Sequence, residues 1–322
     1  MEDAIINFAK QFEWEPEMVN GDNMPGFKNV VVAGMGGSHL ATGIIKMYKP
    51  GIDLYVHRGY GLPPYEDEFL KNSLLVASSY SGNTEEIVDF LETGLKKGYN
   101  MAVMTTGGKL MEIAKENNLP SITIPATGIQ PRSALGYQAK ALAAFLKEDI
   151  LLGELSDLSK VLDPESLREQ GQKLAEQFSG KVPVIYSSLE NLTVAYNWKI
   201  KFNETGKVPS FYNIFSELNH NEMSGFDFID STKHYADNFA FIFIRDQKDH
   251  PKIQRRMDIT RDLYKEKGMD VVDLSFQGST LLEQIFNSLI LGDWTALHTA
   301  LANRAEPEQV PMIEEFKKKL AK

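Results

Sequence analysis

The chain of 322 residues has no cysteine. That excludes a disulfide framework, a thiolate nucleophile and any cysteine-ligated metal. Positive charge is also in short supply. Lys and Arg number 34 against 44 Asp and Glu, a formal net charge of −10. Nucleic acid as a general partner needs a basic face and is disfavoured. A small anion is not excluded, because a phosphate held at a helix start feels the local field rather than the net charge. No apolar run approaches the roughly 20 residues of a spanning helix, so no membrane partner is expected. The opening stretch MEDAIINFAKQFEW is acidic and amphipathic, unlike a signal or transit peptide, and the expected localisation is cytoplasmic.

What is present is an alternation of strand and helix patterns. Mainly apolar runs at Asn29–Ala33, Ile52–Val56, Ser73–Ala77, Met101–Met104 and Ile122–Ile124 read as strands. Helical spacing lies between them, after a first helix over Ala4–Phe12. The unit closes on a long helix at Ser133–Phe145, and residues 151–169 read as a linker plus helix. The alternation then restarts, with strands at Pro183–Ser187, Phe239–Ile244 and Val271–Leu274 and helices at Leu192–Phe202, Ile253–Lys265 and Leu281–Ala302. This predicts an α/β fold of two successive units, 1–150 and 151–322, each a doubly wound, mainly parallel sheet flanked by helices. The tail IEEFKKKLAK reads from its sequence as a solvated terminal helix.

The densest chemistry lies at Ser78–Glu86, SSYSGNTEE, where the third strand turns into a helix. Ser or Thr followed by Glu is the capping-box pattern. A cap needs one hydroxyl, however, and Ser78, Ser79, Ser81 and Thr84 supply four. Hydroxyls beside the unpaired N–H groups of a first helical turn can hold a phosphate dianion without lysine. The earlier loop GMGGSH at Gly34–His39 has the Gly-x-Gly of a dinucleotide site, but His39 replaces the third glycine, and His57-Arg58 stands where a ribose-binding acid is needed. A nicotinamide site is therefore disfavoured, and with no GKS or GKT following, so is an ATPase. Gly36, Gly37 and Ser38 are instead read as bringing backbone N–H groups to a sugar or phosphate. A third loop, Thr127–Ser133, carries one cation, Arg132, suited either to an oxyanion or to a surface salt bridge.

These three loops together resemble a sugar isomerase (SIS) domain. KFNETGKVPSFYNIFSELNHNEMSGF at Lys201–Phe226 closely resembles the signature of the bifunctional phosphoglucose/phosphomannose isomerases, and the turn Arg58–Pro63 and the segment Gly292–Trp294 fit it as well. The resemblance covers essentially the whole chain. It implies two tandem SIS domains in a homodimer, with no metal and no cofactor, interconverting glucose 6-phosphate and mannose 6-phosphate with fructose 6-phosphate through a cis-enediolate. By the same resemblance Glu204 is the base, His220 the ring-opening group, Arg132 the enediolate stabiliser, and a tail lysine, taken as Lys317, assists ring opening. Ser38, Ser79, Ser81 and Thr84 bind the phosphate. His220 is implied to serve the neighbouring subunit's site.

Each role has a competitor. His220 lies between Asn219 and Asn221, where capping is an alternative, and the run Lys317–Lys319 leaves the tail lysine open by a position or two. His39, His57, His234, His250 and His298 show no ligand-type pairing and read as surface or structural. His39 occupies a position that is usually small in such glycine loops. The second unit's counterpart of the serine loop, Arg245–His250, is charged and serine-free and is not expected to hold phosphate. The alternative from another class is a non-catalytic sugar-phosphate sensor on the same fold, which needs the serine loop but not Glu204 together with His220.

Overall fold

Residues 1–320 are described by a computed structural model, and the chain divides into two units. In the unit Asn7–Leu162, the strands are β1 (Met18–Val19), β2 (Asn29–Ala33), β3 (Leu54–His57), β4 (Ser73–Ser78), β5 (Asn100–Thr105) and β6 (Ser121–Thr123). They form one sheet in the order β1-β6-β5-β4-β2-β3. β1 runs antiparallel on β6, and every other pair is parallel. Val30–Ala33 and Leu74–Ala77 are buried throughout, as strands covered on both faces must be, which is why these runs do not alternate. The helix Glu85–Lys96 lays Ile87, Phe90 and Leu91 on the core formed by Val31, Leu75 and Val103. The winding reverses between β2 and β4, so the loops leaving these two strands diverge and open a crevice at their carboxyl ends.

Three features of this unit differ from the expectations. The strand Met18–Val19 was not anticipated; two residues are too few to show a period. The single helix expected over Ala4–Phe12 is two pieces, Glu2–Ile6 and a 3-10 turn Phe8–Glu13, parted at Asn7, whose amide competes with the backbone inside a helix. Of the linker plus helix expected over residues 151–169, the opening stretch is already helical: Asp149–Val161 buries Leu151, Leu155 and Leu158 at helical spacing. The division between units accordingly falls after Leu162 rather than at 150/151, and Met1–Ile6 groups with the second unit.

The second unit holds β7 (Val182–Ser187), β8 (Phe211–Ile214), β9 (Phe239–Arg245) and β10 (Asp270–Ser275), all parallel in the order β10-β9-β7-β8. Its winding reverses between β7 and β9, so β9 corresponds to β4 of the first sheet. β8 was expected to be irregular. Its core gathers Tyr186, Phe241, Phe243 and Tyr264 under the sheet. On the other face the helix Leu281–Ala302 is buried over most of its length, with the indole Nε1 of Trp294 donating to the Pro164 carbonyl at 2.7 Å. Among the described residues no helix is long and apolar enough to cross a membrane.

Candidate active site

In the first unit the three loops singled out by sequence meet at the crevice between β2 and β4. The first follows β2. Gly36 has φ +53, and Gly37 lies so close to the third loop that a Cβ there would stand 2.7 Å from the Arg132 nitrogen. Only glycine permits that approach. Ser38 is buried, and its Oγ accepts from the Tyr80 N–H at 3.0 Å while its carbonyl accepts from the Ser78 hydroxyl at 2.7 Å. Ser78 is thus a staple between loops rather than a ligand-facing hydroxyl.

The second loop is a knot of hydroxyls. Ser79 Oγ lies 2.7 Å from Thr84 Oγ1 and 3.5 Å from Ser81 Oγ, and accepts from the Gly82 N–H at 3.2 Å. Thr84 occupies the N-cap position of the helix Glu85–Lys96 but makes no side-chain capping bond. The ordinary capping explanation therefore does not account for it. Gly82 has φ +70, and a Cβ on it would fall 1.8 Å from the Gly107 carbonyl oxygen. The loop after β5 braces the knot from that side, with Thr106 N–H donating to the Tyr80 carbonyl at 3.1 Å and Leu110 N–H to the Gly82 carbonyl at 3.0 Å.

The third loop ends in the single turn Pro131–Ser133, which holds Arg132 at 2% exposure. A surface salt bridge is excluded by that burial. Two residues that sequence reasoning passed over fix this turn. Gln11, buried, donates to the Ser133 carbonyl at 2.6 Å and accepts from Gly136 N–H at 3.0 Å. Gln138 donates to the Pro131 carbonyl at 3.0 Å. A glutamine buried more than a hundred residues away carries no local signal, although Gln138 lies on the helix that follows. His39 is buried, and its pKa falls to about 4 because burial and then the Arg58 charge disfavour the imidazolium. It is a neutral packing element of the glycine loop.

In the second unit, Glu204 ends the helix Leu192–Glu204 and is half-buried. The chain turns sharply after it. Thr205 and Gly206 N–H both donate to the Lys201 carbonyl, at 2.9 and 3.0 Å, and Lys207 Nζ donates to the Glu204 carbonyl at 2.7 Å. His220 is exposed at the end of the 3-10 turn Glu217–His220. Its neighbours fix the segment. Asn219 donates to Thr260 Oγ1 at 2.9 Å, and the Glu222 carboxylate accepts from Tyr186 and, at 2.5 Å, from Asn213. The capping bond belongs to Asn221, whose side chain accepts from Glu222 N–H, and not to His220. Lys317 lies on the exposed helix Pro311–Leu320 and pairs with Glu314 at 2.8 Å, so within its own unit it stands at the surface. Lys319 pairs with Glu315 at 2.7 Å.

The corresponding crevice of the second unit, between β7 and β9, has the opposite charge. Asn191 donates to Ser188 Oγ at 2.9 Å and to Asp249 Oδ1 at 3.1 Å, with Asp246 nearby at 3.5 Å. Asp249 is buried, and desolvation followed by the Asp246 charge raises its pKa. An anion entering here meets carboxylates.

Two doubly wound units, one carrying a hydroxyl-lined cradle at its switch point, define a SIS-domain phosphosugar protein. The comparisons agree. Residues 167–320 match the model of the bacterial phospho-glucose isomerase C-terminal SIS domain. The bifunctional phosphoglucose/phosphomannose isomerase of Caldicellulosiruptor bescii is 36% identical over 309 residues, spanning 91% of this chain and 89% of that protein. That of Aquifex aeolicus is 32% identical over 328 residues, spanning 99% and 98%. The chain belongs to the bifunctional phosphoglucose/phosphomannose isomerase family. Among solved structures, glucosamine-6-phosphate deaminase from Thermotoga maritima superposes with a TM-score of 0.70 at 16% identity, covering 96% of this chain and 95% of that one. The C-terminal domain of glucosamine-fructose-6-phosphate aminotransferase from Francisella tularensis gives 0.70 at 15%, covering 95% of each. At such identities these two establish the fold alone.

Proposed function

We propose that this chain is an aldose–ketose isomerase, interconverting glucose 6-phosphate and mannose 6-phosphate with fructose 6-phosphate through a cis-enediolate. The observation that carries the reading is the Ser79–Thr84 hydroxyl knot, which opens a helix without capping it. A phosphate dianion suits that place, where hydroxyls and first-turn N–H groups converge and the helix dipole favours negative charge. Ser38, Ser79, Ser81 and Thr84 bind the phosphate, and Gly36 and Gly37 let the backbone approach the sugar. Fixing the remote end of the substrate in this way makes proton transfer at C1 and C2 effectively unimolecular.

The chemistry needs a carboxylate base to carry a proton between C1 and C2, an acid/base at the ring oxygen, and a cation at the developing oxyanion. Glu204 is the base, His220 the ring-opening group and Arg132 the cation, its buried guanidinium unable to lose its proton. The working form is a homodimer in the cytoplasm, in which His220, exposed on its own chain, serves the neighbouring subunit's site. Lys317 reaches the ring oxygen only by giving up its pairing with Glu314. A sensor without turnover would have no use for Glu204 and His220, and membership of an isomerase family disfavours it.

Fructose 6-phosphate incubated with the enzyme in deuterated water tests the route. Glucose 6-phosphate and mannose 6-phosphate labelled at C2 are expected. Aldose formed at normal rate without that label would sink the enediolate reading.

A further inference from the structure

One buried ion pair lies outside every role described above. Lys201, at 2% exposure, sits one turn before Glu204 on the same helix, and Asp293, also at 2%, sits in the middle of the helix Leu281–Ala302. Lys201 Nζ and Asp293 Oδ1 are 2.6 Å apart. Two charges taken out of water cost more than an apolar pair of the same volume, so fold stability is a poor reason for placing them there. A buried pair does have one property that apolar contacts lack. Leucine against leucine can slide or rotate at little cost, whereas an ammonium and a carboxylate share a single register.

That register is set at Glu204. Residues at i and i+3 lie on one face of a helix, so Lys201 and Glu204 are neighbours along the same edge. The Lys201 carbonyl accepts the N–H groups of Thr205 and Gly206, which close the chain immediately beyond Glu204. Lys201 therefore holds the last turn through its backbone while its side chain is fastened to a second helix. The two helices are close where this happens. A Cβ at Gly292, beside Asp293, would stand 3.1 Å from both Lys201 Cδ and Trp198 Cε2. One turn earlier Trp198 Nε1 donates to Ser288 Oγ at 3.1 Å, a second fixed point between the same helices.

We propose that the Lys201–Asp293 pair is a positioning device that locks the rotation and axial register of the turn presenting Glu204. It acts through the carboxylate and touches no substrate. The inference rests on Glu204 being the base, and proton transfer tolerates little error in placement, a displacement of about 1 Å being enough to cost orders of magnitude in rate.

Steady-state kinetics on fructose 6-phosphate and thermal melting decide it. Asp293→Asn is expected to lower kcat about tenfold or more while KM stays within about twofold, the split expected when only the reacting group is misplaced. The double variant Lys201→Met with Asp293→Leu is expected to melt at or above the wild-type temperature and still to lack that activity. Lys201→Arg, which keeps a charge pair, is expected to recover much of the rate lost in Lys201→Met. A double variant turning over at the wild-type rate overturns the proposal, as do equal rates for Lys201→Arg and Lys201→Met. Glu204→Gln is the separate control: near-native turnover there would sink the base assignment itself, whatever the pair does.

Discussion

Thr84 stands at the N-cap of the helix Glu85–Lys96, yet its hydroxyl meets Ser79 Oγ at 2.7 Å instead of the helix's own N–H groups. A side chain in that position normally contributes about 1 kcal/mol to stability through its capping bond. Thr84→Val should therefore cost well under that in urea unfolding. Its effect should appear in substrate binding, because a lost hydrogen bond to a charged group is worth about 1.5–3 kcal/mol, or roughly ten- to a hundredfold in KM. Equal KM with reduced stability would return Thr84 to the role of an ordinary cap.

Gly82 is expected to tolerate no side chain. Its φ of +70 disfavours any L-residue by about 1–2 kcal/mol. A Cβ would in addition sit 1.8 Å from the Gly107 carbonyl oxygen, so the loop after β5 must move with it. Gly82→Ala should lower the denaturation midpoint and raise KM together, read by urea titration and initial rates. Wild-type KM in the folded variant would show that the brace from Gly107 does not shape the cradle.

His220 is exposed in its own chain, and mixing experiments can show where it works. Glu204→Gln and His220→Ala are each expected to be nearly inactive. Unfolded together and refolded as mixed dimers, they should regain about a quarter of wild-type activity if each site takes its histidine from the neighbour, since half the dimers then carry one intact site. No regain would place histidine and carboxylate in the same subunit's site.

His39 gives a pH signature of definite sign. Its folded pKa of about 4 lies below the ordinary 6.5, so the unfolded chain takes up a proton first as pH falls. Stability is unaffected above pH 6.5, is lost between 6.5 and 4, and the full loss is on the order of 3 kcal/mol. His39→Asn should flatten this window in unfolding experiments run at several pH values. An unchanged pH slope would mean that His39 binds its proton equally well in the folded and the unfolded chain.

The parallel strands of both sheets were legible because strands buried on two faces must be apolar without interruption, as in Asn29–Ala33 and Phe239–Arg245. Phe211–Ile214 was not, because it is an edge strand with Phe211 and Tyr212 exposed, and follows directly on Pro209 and Ser210. A helix was expected within residues 151–169 but not its start at Asp149, because Leu151, Leu155 and Leu158 keep helical spacing through residues that otherwise look like a linker. Of the candidate site, the serine loop announced itself by its density of hydroxyls, whereas Glu204 and His220 were singled out only through the resemblance of Lys201–Phe226 to a family signature. Gln11 carried neither signal: its partners Ser133 and Gly136 are brought to it only by the fold. The same is true of the burial of Arg132, which sequence left open between an oxyanion partner and a surface salt bridge.

The carboxylates in the crevice at the ends of β7 and β9 bear on how this chain divides labour. Both units offer the same topological crevice, but Asp246 and Asp249 occupy in one the place that Ser79, Ser81 and Thr84 line in the other. On the proposed reading each chain takes up one phosphate rather than two, and the stoichiometry is set by the charge of a few loop residues, with the architecture of the two halves left alike. On that reading the second crevice is silent, and Glu204 and His220 are carried by elements that need not shape themselves around an anion.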